Sequence, residues 1–344
     1  ALLILLETLR RLVAPAFCLG RMSVFWVMAL AIILNFRFIL RDQAELGFNT
    51  AIAAMIWLGI YLWRRNRDLL GGFSLGLAIA IKCTPAIFLA YFLWKRQWRI
   101  AVYAGVAALL FTLTPALFQG PAFWTRHMQT WVINATHGIT GSGSGFEANE
   151  IYRLTNLSLR PCLMGYVTRL PTIAIRAYEP LPLSFLNFSR PVATAIVDTI
   201  LIGLAGIFMW WSRQPVRLRQ DPRLLWEFAA TGVLMLLFSP ITWSQHCVGL
   251  LPACCLIAAL LIVRQHLPAW VIALILFYAV FGAWLGRDLL GLHLSLALLR
   301  HHISTFSIVA LFVVVLAGPR LQGLSPTRVE RSDEGFANEK SSRP

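Results

Sequence analysis

Apolar runs of membrane-spanning length alternate with short polar links along most of the chain. Residues 1–20 read as the end of one membrane helix, with Arg10, Arg11 and Arg21 around it. Residues 23–34 begin a crossing that extends to Leu40, residues 41–46 form a polar link, and residues 47–63 cross again. Residues 100–118 cross in turn. Residues 119–190 then form the one long stretch outside the membrane, with Gly and Ser concentrated at 141–145. Residues 191–211, 224–238, 248–263, 267–285 and 303–317 complete the pattern. A polar turn, Ser239 to His246, joins two of these into a hairpin. The pattern predicts an all-α, polytopic transmembrane helical bundle of about eight crossings plus a re-entrant helix pair. The membrane-embedded domain is 1–317, with outer loop 119–190, and residues 318–344 have the composition of a disordered polar tail on the cytoplasmic side.

The re-entrant pair is read from residues 64–99. Arg64, Arg65 and Arg67 stand before it, and Lys95, Arg96 and Arg99 close it. Clusters of Lys and Arg stay on the cytoplasmic side of a bilayer. If both clusters obey that rule, the segment enters the membrane, turns and comes back. Lys82, Thr84 and Pro85 break the apolar run near its middle, where the turn is expected. A broken backbone at that depth is tolerated only inside protein or beside water. The expectation is a cavity reaching far from the cytoplasm, with a cation at its floor.

Composition agrees. Of 344 residues, 58% are hydrophobic and 13% charged, about half the charge of a soluble domain, so no sizeable soluble domain is left over. The net charge of +15 invites a nucleic-acid partner. The basic residues lie in short loops between apolar helices, as topology signals do, and no nucleic-acid partner is expected. The chain opens inside an apolar run without an initiator Met, and is read as truncated at its N-terminus. The six cysteines have no metal-ligand spacing. No metal and no cofactor is expected.

Lys82 is the sharpest single candidate. An intramembrane lysine is costly and by default functional; it would bind a lipid phosphate as a point charge, or else snorkel to an interface. In the turn Ser239 to His246, Trp243 would stack on a sugar or anchor at the interface, and His246 would orient a hydroxyl or phosphate. Asn156, Ser158 and Arg160, in the long outer loop, suit sugar hydroxyls and phosphate. Carboxylates on the outer side are few: Asp42, Glu45, Glu147, Glu150, Glu179 and Asp288. Asp42 and Glu45 are weak catalytic candidates, since none of the six stands in a paired spacing. No phosphate-cradling Gly loop, zinc pattern or nucleophile elbow occurs.

At these residues the chain resembles glycosyltransferase family 87, polytopic enzymes of the GT-C type that include polyprenyl-phosphate-mannose-dependent mannosyltransferases. The stretch GGFSLGLAIAIKCTPAIFLAYFLWKRQWR is similar to the family's pattern of glycine, alanine, lysine, proline and closing basic residues. Asn156, Ser158 and Leu159, with Arg169 further on, look like its Asn-x-Ser-Leu segment. Ser239, Pro240, Trp243 and His246 look like its Ser-Pro-x-x-Trp turn and following histidine. Gln43 with Gly47-Phe48-Asn49 matches a Gly-Gln-x-x-Asn segment loosely, and Gln245-His246 stands where a His-His pair is common.

The resemblance implies an inverting hexosyltransferase-like enzyme in the plasma membrane. It would move a hexose or pentose from a polyprenyl-phosphate donor to a glycan or glycolipid acceptor on the extracytoplasmic face. It also implies a catalytic carboxylate in the first outer loop, which would precede Ala1. Two other classes fit the apolar pattern. A transporter or lipid flippase would carry related repeats in its halves, and none is visible. A non-catalytic membrane subunit would need no carboxylate of its own.

Overall fold

A computed structural model describes residues 1–140, 153–169 and 184–324, and every regular element among them is helical. The helices are α1 (Leu2–Ala16), α2 (Arg21–Ala44), α3 (Phe48–Arg64), α4 (Asp68–Ile81), α5 (Ala86–Trp94), α6 (Trp98–Gln119) and α7 (Pro121–Thr140). They continue as α8 (Leu159–Val167), α9 (Arg190–Trp211), α10 (Arg223–Phe238), α11 (Leu251–Val263), α12 (Ala269–Phe277), α13 (Arg287–Arg300) and α14 (Ile303–Leu321). A 3-10 segment, Ser244–Leu250, leads into α11, and a π-helical segment, Tyr278–Trp284, continues α12.

The protein is membrane-embedded. Among the described residues five helical segments are long and apolar enough to span a bilayer, or six if a pair bent by 115° counts as one span. The expected count of about eight crossings is not confirmed by these segments. The physical reason is length: α1, α3, α4 and α10 have 14 to 17 residues, fewer than the ~20 that cover the hydrocarbon core.

The limbs α4 and α5 are separated at Lys82–Pro85, as the break in the apolar run predicts. Helix α4 runs antiparallel to α3, with the Ser74 hydroxyl donating to Met55 O at 2.8 Å. It runs parallel to α6: Gly72 lies against Tyr103 and Ala104, and Gly76 against Ala104, Ala107 and Ala108. Since α4 and α6 start at the same end, α5 must carry the chain back to that end. Both basic clusters meet one loop there. Arg64 donates to the carbonyls of Gln220 and Asp221 at 2.7 and 3.0 Å. Lys95 donates to those of Ser212 and Gln214 at 2.7 and 2.5 Å. Lys95 also pairs with Glu227 at 2.7 Å, and the Tyr91 hydroxyl donates to that carboxylate at 2.7 Å. All three side chains are buried.

The α4–α6 crossing is close because Gly72 and Gly76 present no side chain. A Cβ on Gly76 would lie 2.6 Å from Ala104 O and from Ala107 Cβ. Spaced four apart, the two glycines form the small-residue seam by which membrane helices approach backbone to backbone.

Elsewhere the outline differs from the pattern reading. Residues 121–140 of the long outer stretch form α7, which opens on Pro121 at a favourable first position. Trp124 ties it back to α6, its Nε1 donating to Thr112 O at 2.8 Å. Residues 287–300, unassigned from the pattern, form α13, broken at Gly291 (φ 69°). Helix α14 continues four residues past the expected end of the membrane domain, and residues 325–344 of the tail lie outside the described residues.

Candidate functional site

At the end of the bundle opposite the basic clusters, a cleft opens between α3, the Lys82–Pro85 break, α10 and the turn after α10. It holds about 490 Å³ of atom-free space, open solvent included. Asn49, Lys82, Thr84, Ser239, Thr242 and His246 supply its polar lining, and Trp57, Phe88 and Met235 part of its apolar wall. Lys82 and His246, two of the candidates singled out by pattern, thus face one space although 164 positions separate them. The lining carries a cation, hydroxyls, an amide and an imidazole, and no carboxylate.

Lys82 is held from behind. Its Nζ donates to Asn49 Oδ1 at 3.0 Å. The Asn49 amide in turn donates to Asp42 Oδ1 at 2.9 Å, which fixes which end of the amide faces the lysine. Asp42 is fully buried. Besides Asn49 Nδ2 it accepts the backbone N–H groups of Asn49 (3.2 Å) and Thr50 (2.9 Å), and the Thr50 hydroxyl at 2.5 Å. Those N–H groups belong to the first turn of α3, where a helix leaves donors without partners and favours negative charge. Asp42 therefore caps α3 and braces Lys82 through one amide. Glu45, the other weak catalytic candidate, forms an exposed ion pair with Arg41 at 3.1 Å. Glu147, Glu150 and Glu179 lie outside the described residues, as does the side chain of Asp288.

Asn156 and Ser158 stand behind the other wall. Asn156 Oδ1 accepts from Ser158 N (3.1 Å), Ser158 Oγ (2.8 Å) and Thr242 N (2.8 Å), while its Nδ2 donates to Pro240 O at 2.9 Å. Leu157 N adds a bond to Thr242 O at 2.7 Å. Both side chains are fully buried. They lock the outer-loop segment onto the turn that carries Ser239, Thr242 and His246. His246 Nδ1 accepts the Trp243 N–H at 3.2 Å, which puts the ring hydrogen of the neutral form on Nε2. Trp243 itself lies beneath Arg153, whose guanidinium is 5.6 Å from the ring centroid. Arg160 is further off, paired with Asp198 of α9 at 3.0 Å. Among the described residues no three His, Cys, Asp or Glu side chains group as metal ligands do.

The description of glycosyltransferase family 87 matches residues 1–240, which include Lys82, Asn156 and the start of the cleft-lining turn. The chain belongs to glycosyltransferase family 87. It is also 26% identical, over 250 residues, to a polyprenol-phosphate-mannose-dependent alpha-(1-2)-phosphatidylinositol mannoside mannosyltransferase of Mycobacterium tuberculosis. The alignment covers 72% of this chain and 50% of that protein, so the chain spans about half the length of the curated relative it matches. No solved structure matches the chain.

In this family 87 chain, three contributors to the site escaped the pattern reading. Thr84 and Thr242 line the cleft and are ordinary polar residues of a membrane turn. Asn49 entered only as part of a loose motif, yet it is the residue that touches Lys82. Its position one residue inside the start of α3 was the available signal.

Proposed function

We propose that this chain forms the donor-phosphate part of a glycosyltransferase that takes a hexose or pentose from a polyprenyl-phosphate carrier on the extracytoplasmic face of the plasma membrane. The single observation that carries the reading is the cleft with Lys82 at its wall, at the end of the bundle away from the Arg and Lys clusters. By the positive-inside rule those clusters face the cytoplasm, so the cleft opens outward. A lipid-linked donor needs a cation at that level and apolar surface beside it. The relative's name, which includes polyprenol-phosphate mannose, supports the donor class.

In the proposed inverting reaction an acceptor hydroxyl attacks the anomeric carbon, and the bond from that carbon to the phosphate oxygen breaks. Negative charge builds on the departing polyprenyl phosphate. The Lys82 ammonium lies where it stabilises that charge, as preorganised cations do in phosphate chemistry. His246, Ser239 and Thr242 offer hydrogen bonds to the phosphate or sugar, and Trp243, beside Thr242 in the turn but outside the lining, stacks against Arg153. Asn156, Ser158 and Asp42 act as positioning residues behind the cleft, Arg160 as a more distant one. The acceptor proton passes to a base outside the lining. The acceptor is a glycan or glycolipid.

The test incubates the full-length protein, reconstituted in liposomes, with radiolabelled polyprenyl-phosphate sugars and follows label into lipid and glycan acceptors. Label transfer supports the reading. Donor movement across the bilayer without transfer sinks it in favour of a flippase.

A further inference from the structure

A second cleft lies at the opposite end of α4, where α4 and α6 begin side by side. It holds about 620 Å³ of atom-free space, open solvent included, and Arg67, Arg99 and Tyr103 line it. Two neighbouring arginines are already engaged. Arg219 holds the Asp68 carboxylate through two bonds, at 2.6 and 3.1 Å, and Arg64 is bonded to loop carbonyls. The one acidic group of the lining is therefore neutralised. The guanidinium groups of Arg67 and Arg99 have no hydrogen-bond or ion-pair partner among the described residues. Two guanidinium groups thus flank a concavity whose only carboxylate is already occupied.

Apolar side chains surround the same opening. Leu69 and Trp98 are 61% and 60% exposed, and Leu70 is exposed beside them. The membrane span α6 begins at Trp98, so the headgroup layer of the bilayer passes through this level. A soluble anion would use the arginines and leave the leucines and Trp98 bare. A phospholipid would use both.

We propose that this cleft binds the phosphodiester headgroup of an anionic phospholipid, with Arg67 and Arg99 gripping the phosphate and its acyl chains lying against Leu69, Leu70 and Trp98. Guanidinium groups pair with phosphate oxygens through two parallel bonds. The uncapped first turns of α4 and α6 add backbone donors at the same opening. A lipid there clamps the starts of α4 and α6 together. The proposal rests on membrane embedding and not on the transfer reaction.

The test titrates the purified full-length protein in mixed micelles with dioleoylphosphatidylglycerol and counts bound lipids by native mass spectrometry. Each Arg→Gln change weakens the tightest-bound lipid about fivefold, and Arg67→Gln/Arg99→Gln together weaken it roughly thirtyfold. Arg96→Gln, at the same end but outside the lining, leaves that binding unchanged. Equal binding in the double variant overturns the site, as does an equal loss in Arg96→Gln, which would mean diffuse charge attraction. Displacement of the lipid by inorganic phosphate at equal concentration overturns the lipid assignment. Should the double Gln variant fail to fold, Arg67→Lys/Arg99→Lys replaces it. That variant keeps charge and loses the paired bonds, so binding must fall severalfold, and full retention overturns the proposal.

Discussion

Replacing Lys95 by Met tests the return of α5 to the start of α4. In the wild-type protein the ammonium sits against the Glu227 carboxylate at 2.7 Å and against two loop carbonyls, with side-chain exposures of 2% for Lys95 and 9% for Glu227. Lys95→Met leaves the carboxylate buried, with the Tyr91 hydroxyl as its remaining partner among the described residues. Removing one member of a buried pair costs about 3–5 kcal/mol, because the survivor is an uncompensated charge. Lys95→Met/Glu227→Leu removes both charges, and apolar replacements of similar volume restore much of the loss. A double-mutant cycle should therefore show a coupling of about 1–3 kcal/mol. The assay is reversible unfolding in mixed detergent micelles, followed by tryptophan fluorescence. A cost below about 1 kcal/mol for Lys95→Met, or a double variant as unstable as the sum of the singles, would refute a buried pair that pins the end of α5.

Three other perturbations follow from the packing. Gly76→Val forces a side chain into the backbone of α6 and should cost about 1–3 kcal/mol or more in the same unfolding assay; Gly203→Val on α9, where a Cβ meets nothing within 4 Å, should cost less. Asn156→Ala removes the acceptor shared by Ser158 and Thr242. It should lower sugar transfer by tenfold or more, whereas Arg160→Gln, which breaks a partly exposed pair, should change stability by less than about 1 kcal/mol. Asp42→Asn puts an amide nitrogen against donors of Asn49 and Thr50, and should cost about 1–3 kcal/mol in unfolding with Asp42→Ala at least as costly.

The helical class and the break at Lys82–Pro85 were legible in the chain. They rest on local signals: apolar runs, basic flanks and a lysine followed three positions later by a proline. What the residues behind the cleft do was not legible. Asn156 and Ser158 read as sugar ligands because of their chemistry, but the structure commits their side chains to a turn 84 to 86 positions away. Asp42 read as a weak catalytic candidate, and its carboxylate is committed to capping the start of α3. The Lys95–Glu227 pair joins residues 132 positions apart, and no local pattern marks either member as a partner. The Gly72–Gly76 seam was visible as two glycines four apart, a spacing with a known meaning in membrane helices. The expected crossing count is left unconfirmed by length, since helices of 14 to 17 residues and longer spans share one apolar composition.

The central claim is that Lys82 meets the donor phosphate. The most direct measurement is kcat/KM for transfer of labelled sugar from a polyprenyl-phosphate donor by full-length Lys82→Met, with its unfolding midpoint measured alongside. Loss of one preorganised donor to a developing anion predicts a fall of about 10²–10³-fold, with folding preserved. Unchanged turnover and donor affinity in a folded variant would contradict the assignment.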